Sequence, residues 1–137
     1  MPLVDLDCTA RLVISPGTTV PVSTNLSFRS WEPYSVHISF SMEGRAPVNW
    51  VFARELLAEG IVRPSGLGDV RIWPEDSDRP GFLSLQLSSP YGRALLALPA
   101  GLVTPWLART YHAVPAGFEG GSLEFDRELA RLLGKAA

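Results

Sequence analysis

Between Tyr34 and Phe40 the side chains alternate without interruption, with Tyr34, Val36, Ile38 and Phe40 on one parity and Ser35, His37, Ser39 and Ser41 on the other. A period of two with one apolar face predicts a half-buried antiparallel strand. Gly44 offers a reversal, Val48 to Val51 returns beside the first strand, and the pattern then changes to a helical run from Phe52 to Glu59. Gly60 suits a left-handed C-terminal cap and Pro64 blocks resumption of the helix. After Ser65-Gly66-Leu67-Gly68 the chain is extended again from Val70 to Trp73.

The same reading extends in both directions. Val4, Leu6, Cys8, Ala10, Leu12 and Ile14 share one parity, which predicts a strand from about Leu6 to Ile14, ended by the turn Ser15-Pro16-Gly17. Val20 to Phe28 alternates more weakly, and Pro21 predicts that it is an edge or bulged strand. Trp31 stands in the loop that follows. Glu75 to Gly81 is a polar run of turn formers, so it reads as a loop. Phe82 then opens a strand in which Leu83, Leu85 and Leu87 alternate with Ser84, Gln86 and Ser88. Ser89-Pro90-Tyr91-Gly92 makes a hairpin turn, and Arg93 to Leu98 returns.

From Ala100 to Ala113, Leu102, Val103, Trp106, Leu107 and Tyr111 fall on one helical face. Pro105 predicts that the regular helix begins at Thr104, with the proline in its first turn. Leu123 and Phe125 suggest one more short strand after the Gly117 to Gly121 turn. Asp126 can cap a last helix carrying Leu129, Leu132 and Leu133, closed by Gly134. Strands grouped before each helix predict an α+β chain with antiparallel sheets, in one domain over residues 1–137.

Composition narrows the function. A net charge of −2, with eleven arginines and one lysine scattered along the chain, argues against non-specific nucleic-acid binding, which needs a basic surface. The N-terminus carries Asp5 and Asp7 where a signal peptide would place a basic flank and an apolar block, and no apolar run approaches the roughly 20 residues of a membrane span. Direct membrane insertion is therefore not expected. The lone Cys8 reads as a core thiol in a reducing compartment.

Candidate chemistry is sparse. A thiol nucleophile would need His37 or His112 beside Cys8, and His37 has the polar parity of its strand while Cys8 has the apolar parity of its own. Two histidines so far apart and one cysteine show no metal-ligand spacing. Ser65-Gly66-Leu67-Gly68 precedes a strand, where a phosphate cradle would open a helix. No catalytic, cofactor or metal residue is assigned. The aromatic residues are more informative. Trp50 and Trp106 fit core positions, whereas Trp31 in its loop and Trp73, on the parity of Arg71, are candidates for a partner or subunit interface, together with the loop charges Glu75, Asp76, Asp78 and Arg79.

The run Trp50-Val51-Phe52-Ala53-Arg54-Glu55-Leu56-Leu57-Ala58-Glu59-Gly60, followed by Arg63-Pro64 and by Gly68-Asp69-Val70-Arg71-Ile72-Trp73-Pro74, closely resembles the SsgA-like family, small cytosolic proteins of spore-forming filamentous bacteria. The similarity runs from about Cys8 to the C-terminal helix. The resemblance implies two antiparallel β-sheets packed across each other with about three helices, Whirly-like, assembled as a trimer. It also implies a non-enzymatic, sporulation-specific cell division protein without cofactor, cytoplasmic and placed at the division septum. Such a protein binds the tubulin-like FtsZ, recruits it to future septum sites and promotes its polymerisation, together with an SsgA-type paralogue. The alternative carried by the Whirly-like fold is single-stranded nucleic-acid binding by the oligomer.

Overall fold

Period-two alternation dictates most of the architecture. The computed structural model describes residues 3–75 and 81–120. The elements run β1 (Leu3–Ser15), β2 (Thr18–Arg29), β3 (Ser35–Ser41), β4 (Val48–Ala53), α1 (Arg54–Gly60), β5 (Val70–Pro74), β6 (Phe82–Ser89), β7 (Gly92–Pro99) and α2 (Ala100–Ala113). All described strand pairs are antiparallel, in the order β4-β3-β2-β1-β7-β6-β5.

The expected pair of crossed sheets is one seven-stranded sheet. Its two halves meet where β1 pairs with β7, at Arg11 with Ala97 and Leu12 with Leu96. The sheet curls at this seam, because the inward side chains of both halves, such as Leu26, Phe28 and Ile38 on one side and Leu83, Leu85 and Leu98 on the other, enter one buried cluster. Burial of that apolar surface is what holds the halves together. Helix α2 lies against the same cluster through Val103, Trp106 and Leu107. The Trp106 indole Nε1 donates to the Val4 carbonyl at 3.0 Å, tying α2 to the start of β1.

Several boundaries differ from the sequence reading. Strand β2 is interior, between β1 and β3, and not at an edge. Pro21 is tolerated because β3 ends at Ser41, opposite Ser23, so the proline lies past β3 in a part of β2 paired only with β1. Phe52 belongs to β4, where it faces Val36, and α1 starts only at Arg54. Gly60 closes α1 without left-handed geometry. A side chain there would meet Ile72, since an added Cβ would lie 2.6 Å from the Ile72 Cβ.

Helix α2 begins at Ala100, with Pro105 inside it and not in its first turn. The carbonyl that Pro105 leaves without a donor belongs to Gly101, an exposed residue with no side chain to obstruct water or the proline ring. Tyr34 precedes β3 and is 61% exposed, so its apolar parity does not bury it. Among the described residues there are two α-helices. The short strand at Leu123 and Phe125 and the third helix after Asp126 lie outside the described residues.

Candidate docking surface

The outward face of β1–β4 is built from the polar parity of each strand, and the register sets its side chains in rows. Asp5, Ser27, His37 and Val51 stand side by side across the four strands, with Asp7, Asn25, Ser39 and Asn49 in the next row and Thr9, Ser23 and Ser41 beyond. Short serine and asparagine side chains at the centre leave a trough of about 700 Å³, with Leu3, Arg29 and Trp31 at its rim. Trp31 is 50% exposed.

Polar contacts organise this face. Asn25 Nδ2 donates to Asp7 Oδ1 at 2.9 Å. The Glu32 Oε2 accepts from Arg29 Nη1 at 3.4 Å and from His37 Nε2 at 2.9 Å, so the turn bearing Trp31 is pinned on both sides. Exposed pairs of this kind add little stability; the turn itself is closed by the Glu32 N–H donating to the Arg29 carbonyl at 2.9 Å and the Ser35 N–H donating to the Glu32 carbonyl at 3.1 Å. Cys8 faces the other side, packed against the core, and burial first and Asp7 second push its thiol pKa up. Cys8 and His37 therefore stand on opposite faces, and the thiol–imidazole pair is not formed.

Beneath the end of this face lies a residue that sequence reasoning did not single out. Arg54 is 1% exposed, with its guanidinium 3.9 Å from the Tyr111 ring centroid and 4.8 Å from that of Phe28. Its Nη1 donates to the Thr110 carbonyl at 3.0 Å and its Nη2 to Glu119 Oε2 at 3.1 Å. Its Nε has no partner among the described residues. The Glu119 carboxyl is held below its ordinary pKa, chiefly by the hydrogen bond from its own backbone N–H, with Arg54 and the Gly117 N–H adding to it against the opposing effect of burial. Arg54 lies within the family-like run, but nothing in its neighbours announces that it is buried.

Trp73 is not part of this face. It stands on β5, at the other end of the strand order from β4, where it is partly buried and borders a hollow of about 550 Å³ with Pro64, Leu67, Arg71 and Gln86. The structure does not bring Trp31 and Trp73 together. Glu75 accepts a hydrogen bond from the buried Ser84 hydroxyl, so it is a structural contact as much as a loop charge. Asp76, Asp78 and Arg79 lie outside the described residues. The Ser65 to Gly68 turn is a tight connection, with Gly66 at a φ of 92° and Ser65 bridged to Ile72. Among the described residues no group of three or more His, Cys, Asp or Glu could hold a metal ion, and no helix is long and apolar enough to cross a membrane.

The family described as Streptomyces sporulation and cell division protein, SsgA, matches residues 22–119. The sporulation-specific cell division protein SsgB of Streptomyces coelicolor is 44% identical over 126 residues, covering 92% of each chain. The SsgB of Salinispora tropica is 42% identical over 132 residues, covering 95% of this chain and 92% of its own. Among solved structures, the SsgA-like sporulation-specific cell division protein from Thermobifida fusca superposes with a TM-score of 0.82 at 35% identity, covering 95% of each chain. A structure of SsgB, from work relating its mutations to longitudinal cell division during sporulation of Streptomyces coelicolor, also gives 0.82, at 45% identity over 86% of this chain and 93% of that one.

Proposed function

This chain belongs to the SsgA family of sporulation and cell division proteins, and from that premise we propose that it acts in sporulation-associated division as a non-enzymatic docking protein. It binds the tubulin-like FtsZ in the cytoplasm, recruits it to future septum sites and promotes its polymerisation, alongside an SsgA-type paralogue. The observation that carries this reading is the ordered outward face of β1–β4, with a half-exposed Trp31 held in a turn by Arg29, Glu32 and His37. An exposed tryptophan in a fixed frame is the kind of anchor that protein interfaces concentrate their binding energy on. A symmetric trimer would present three such faces, and linked weak sites gather filament subunits that a single site would release.

Sedimentation of FtsZ filaments tests this. The expected result is co-pelleting of the wild-type chain and an enlarged filament pellet, with Trp31→Ala cutting co-pelleting about tenfold or more, as for an interface anchor worth roughly 1.4 kcal/mol or above. No co-pelleting of the wild-type chain would overturn the proposal. Asp5 and Asp7 on the same face oppose the nucleic-acid alternative. Tight single-stranded DNA binding that falls steeply with salt would instead favour it.

A further inference from the structure

Among the described residues Arg54 is the only buried charge, and its hydrogen bonds are incomplete. Nη1 is satisfied by the Thr110 carbonyl. On the guanidinium edge formed by Nε and Nη2, only Nη2 is engaged, by Glu119 Oε2 at 3.1 Å. That edge is one on which a carboxylate can accept two parallel hydrogen bonds. Glu119 supplies a single oxygen to it, because Oε1 is turned back to the Gly117 N–H at 2.8 Å. A buried N–H left without an acceptor costs stability, and an oxygen brought to it recovers that cost.

The edge keeps its direction whatever occupies it. The Tyr111 and Phe28 rings hold the guanidinium at 3.9 and 4.8 Å from their centroids, and Nη1 ties it to the last turn of α2. None of these contacts involves Glu119.

Residues 115–120 close the edge and are lightly attached. All of them except Glu119 are exposed. Among the described residues the bond from Arg54 to Glu119 is the only hydrogen bond between this segment and another element, since the Phe118 N–H donates to Pro115 within it. The other donors to the Glu119 carboxyl are its own N–H and that of Gly117, both on the segment. Glu119 therefore takes them along when it withdraws, and its departure breaks one hydrogen bond to the core.

We propose that the Nε–Nη2 edge of Arg54 is a carboxylate-binding site that the chain closes with its own Glu119, and that an Asp or Glu side chain of a partner protein takes the place of Glu119 by accepting from both nitrogens. The incoming carboxylate makes two charge-assisted bonds where Glu119 makes one. Residues 115–120 are then a displaceable strap. The site is separate from the outward trough, and the inference stands whether or not the docking reading does.

Acetate is the probe, because Glu119→Ala removes a methylene carboxylate fragment of nearly the same size. In proton–nitrogen correlation spectra of Glu119→Ala at neutral pH, sodium acetate is expected to move the Arg54 Nε–H resonance saturably. At about ten times its dissociation constant it is expected to raise the thermal midpoint of this variant by about 3–5 °C over sodium chloride of equal ionic strength. In Arg54→Met/Glu119→Ala that gain should vanish. In the wild type, acetate at about 0.5 M, far above the roughly millimolar effective concentration of a loosely tethered group, is expected to move the Gly117 amide resonance toward its position in Glu119→Ala. An Arg54 Nε–H signal indifferent to acetate in Glu119→Ala would overturn the site, as would an equal midpoint gain in the double variant, which would mark a general salt effect. A Gly117 amide that does not move in the wild type would overturn the displaceable strap.

Discussion

Arg54 concentrates the residue-scale physics of this protein. A buried cation survives only when its charge is answered on several sides, and here a carbonyl, a carboxylate and two aromatic faces do so. The planar guanidinium suits a slot between rings, and an ammonium does not. Arg54→Lys is therefore expected to lower unfolding stability by about 1–2 kcal/mol in urea titrations, through the lost stacking and one lost hydrogen bond. Glu119 adds a pH dependence of definite sign. Its folded pKa is lowered, so its contribution is fully present above the ordinary carboxylate value and disappears as pH falls through the lower folded value. Glu119→Gln should be less stable than wild type at pH 7, and the gap should shrink progressively as pH falls below the ordinary glutamate value of about 4.3. An unchanged gap at pH 3 would mean that the carboxylate charge is not what Arg54 needs. None of this was legible in the sequence, where Arg54 is one of eleven scattered arginines and its partners Thr110 and Glu119 come 56 and 65 positions later.

At the scale of elements, legibility followed how local the cause is. Strands β3 and β6 and the hairpin return of β7 are where alternation placed them, because a period-two apolar face needs nothing beyond its own residues to be recognised. The position of β2 was not readable, since whether Pro21 disrupts a sheet depends on where β3 stops. The outward trough was half readable: the polar parity of β3 is in the sequence, but its alignment with Asp5, Asn25 and Asn49 is a matter of register. Gly60 is a related case, a glycine at the expected helix end but required for a different reason. Its backbone approaches Ile72 of β5, so Gly60→Ala is expected to cost about 1–3 kcal/mol by overpacking, even though alanine favours helices. Helix α2 is fastened to β1 by the Trp106 indole as well as by burial. Trp106→Phe keeps most of the apolar bulk and removes the donor to Val4, and a loss of about 1–3 kcal/mol in thermal or chemical unfolding is expected.

For the whole molecule, the question is whether the two halves of the sheet behave as one unit. Their direct strand pairing is confined to Arg11 with Ala97 and Leu12 with Leu96, which alone would be a weak seam. The buried cluster decides otherwise, because Leu26, Phe28 and Ile38 share it with Leu83, Leu85, Leu98 and Trp106, and neither half can open without exposing the other's apolar face. Opening the seam would uncover apolar surface at about 25 cal/mol per Å², far more than the few seam hydrogen bonds contribute. Unfolding is therefore expected to be one cooperative transition, with tryptophan fluorescence and far-ultraviolet circular dichroism giving coincident curves. Two separated transitions would mean that the β5–β7 half is a unit of its own. The proposed trimer makes a further demand on the same curves: association that favours the folded state raises the midpoint as protein concentration rises. A midpoint that stays fixed over a hundredfold range of concentration would confine the docking surface to single molecules and remove the multivalent part of the filament-gathering mechanism, leaving Trp31 and its frame to act alone.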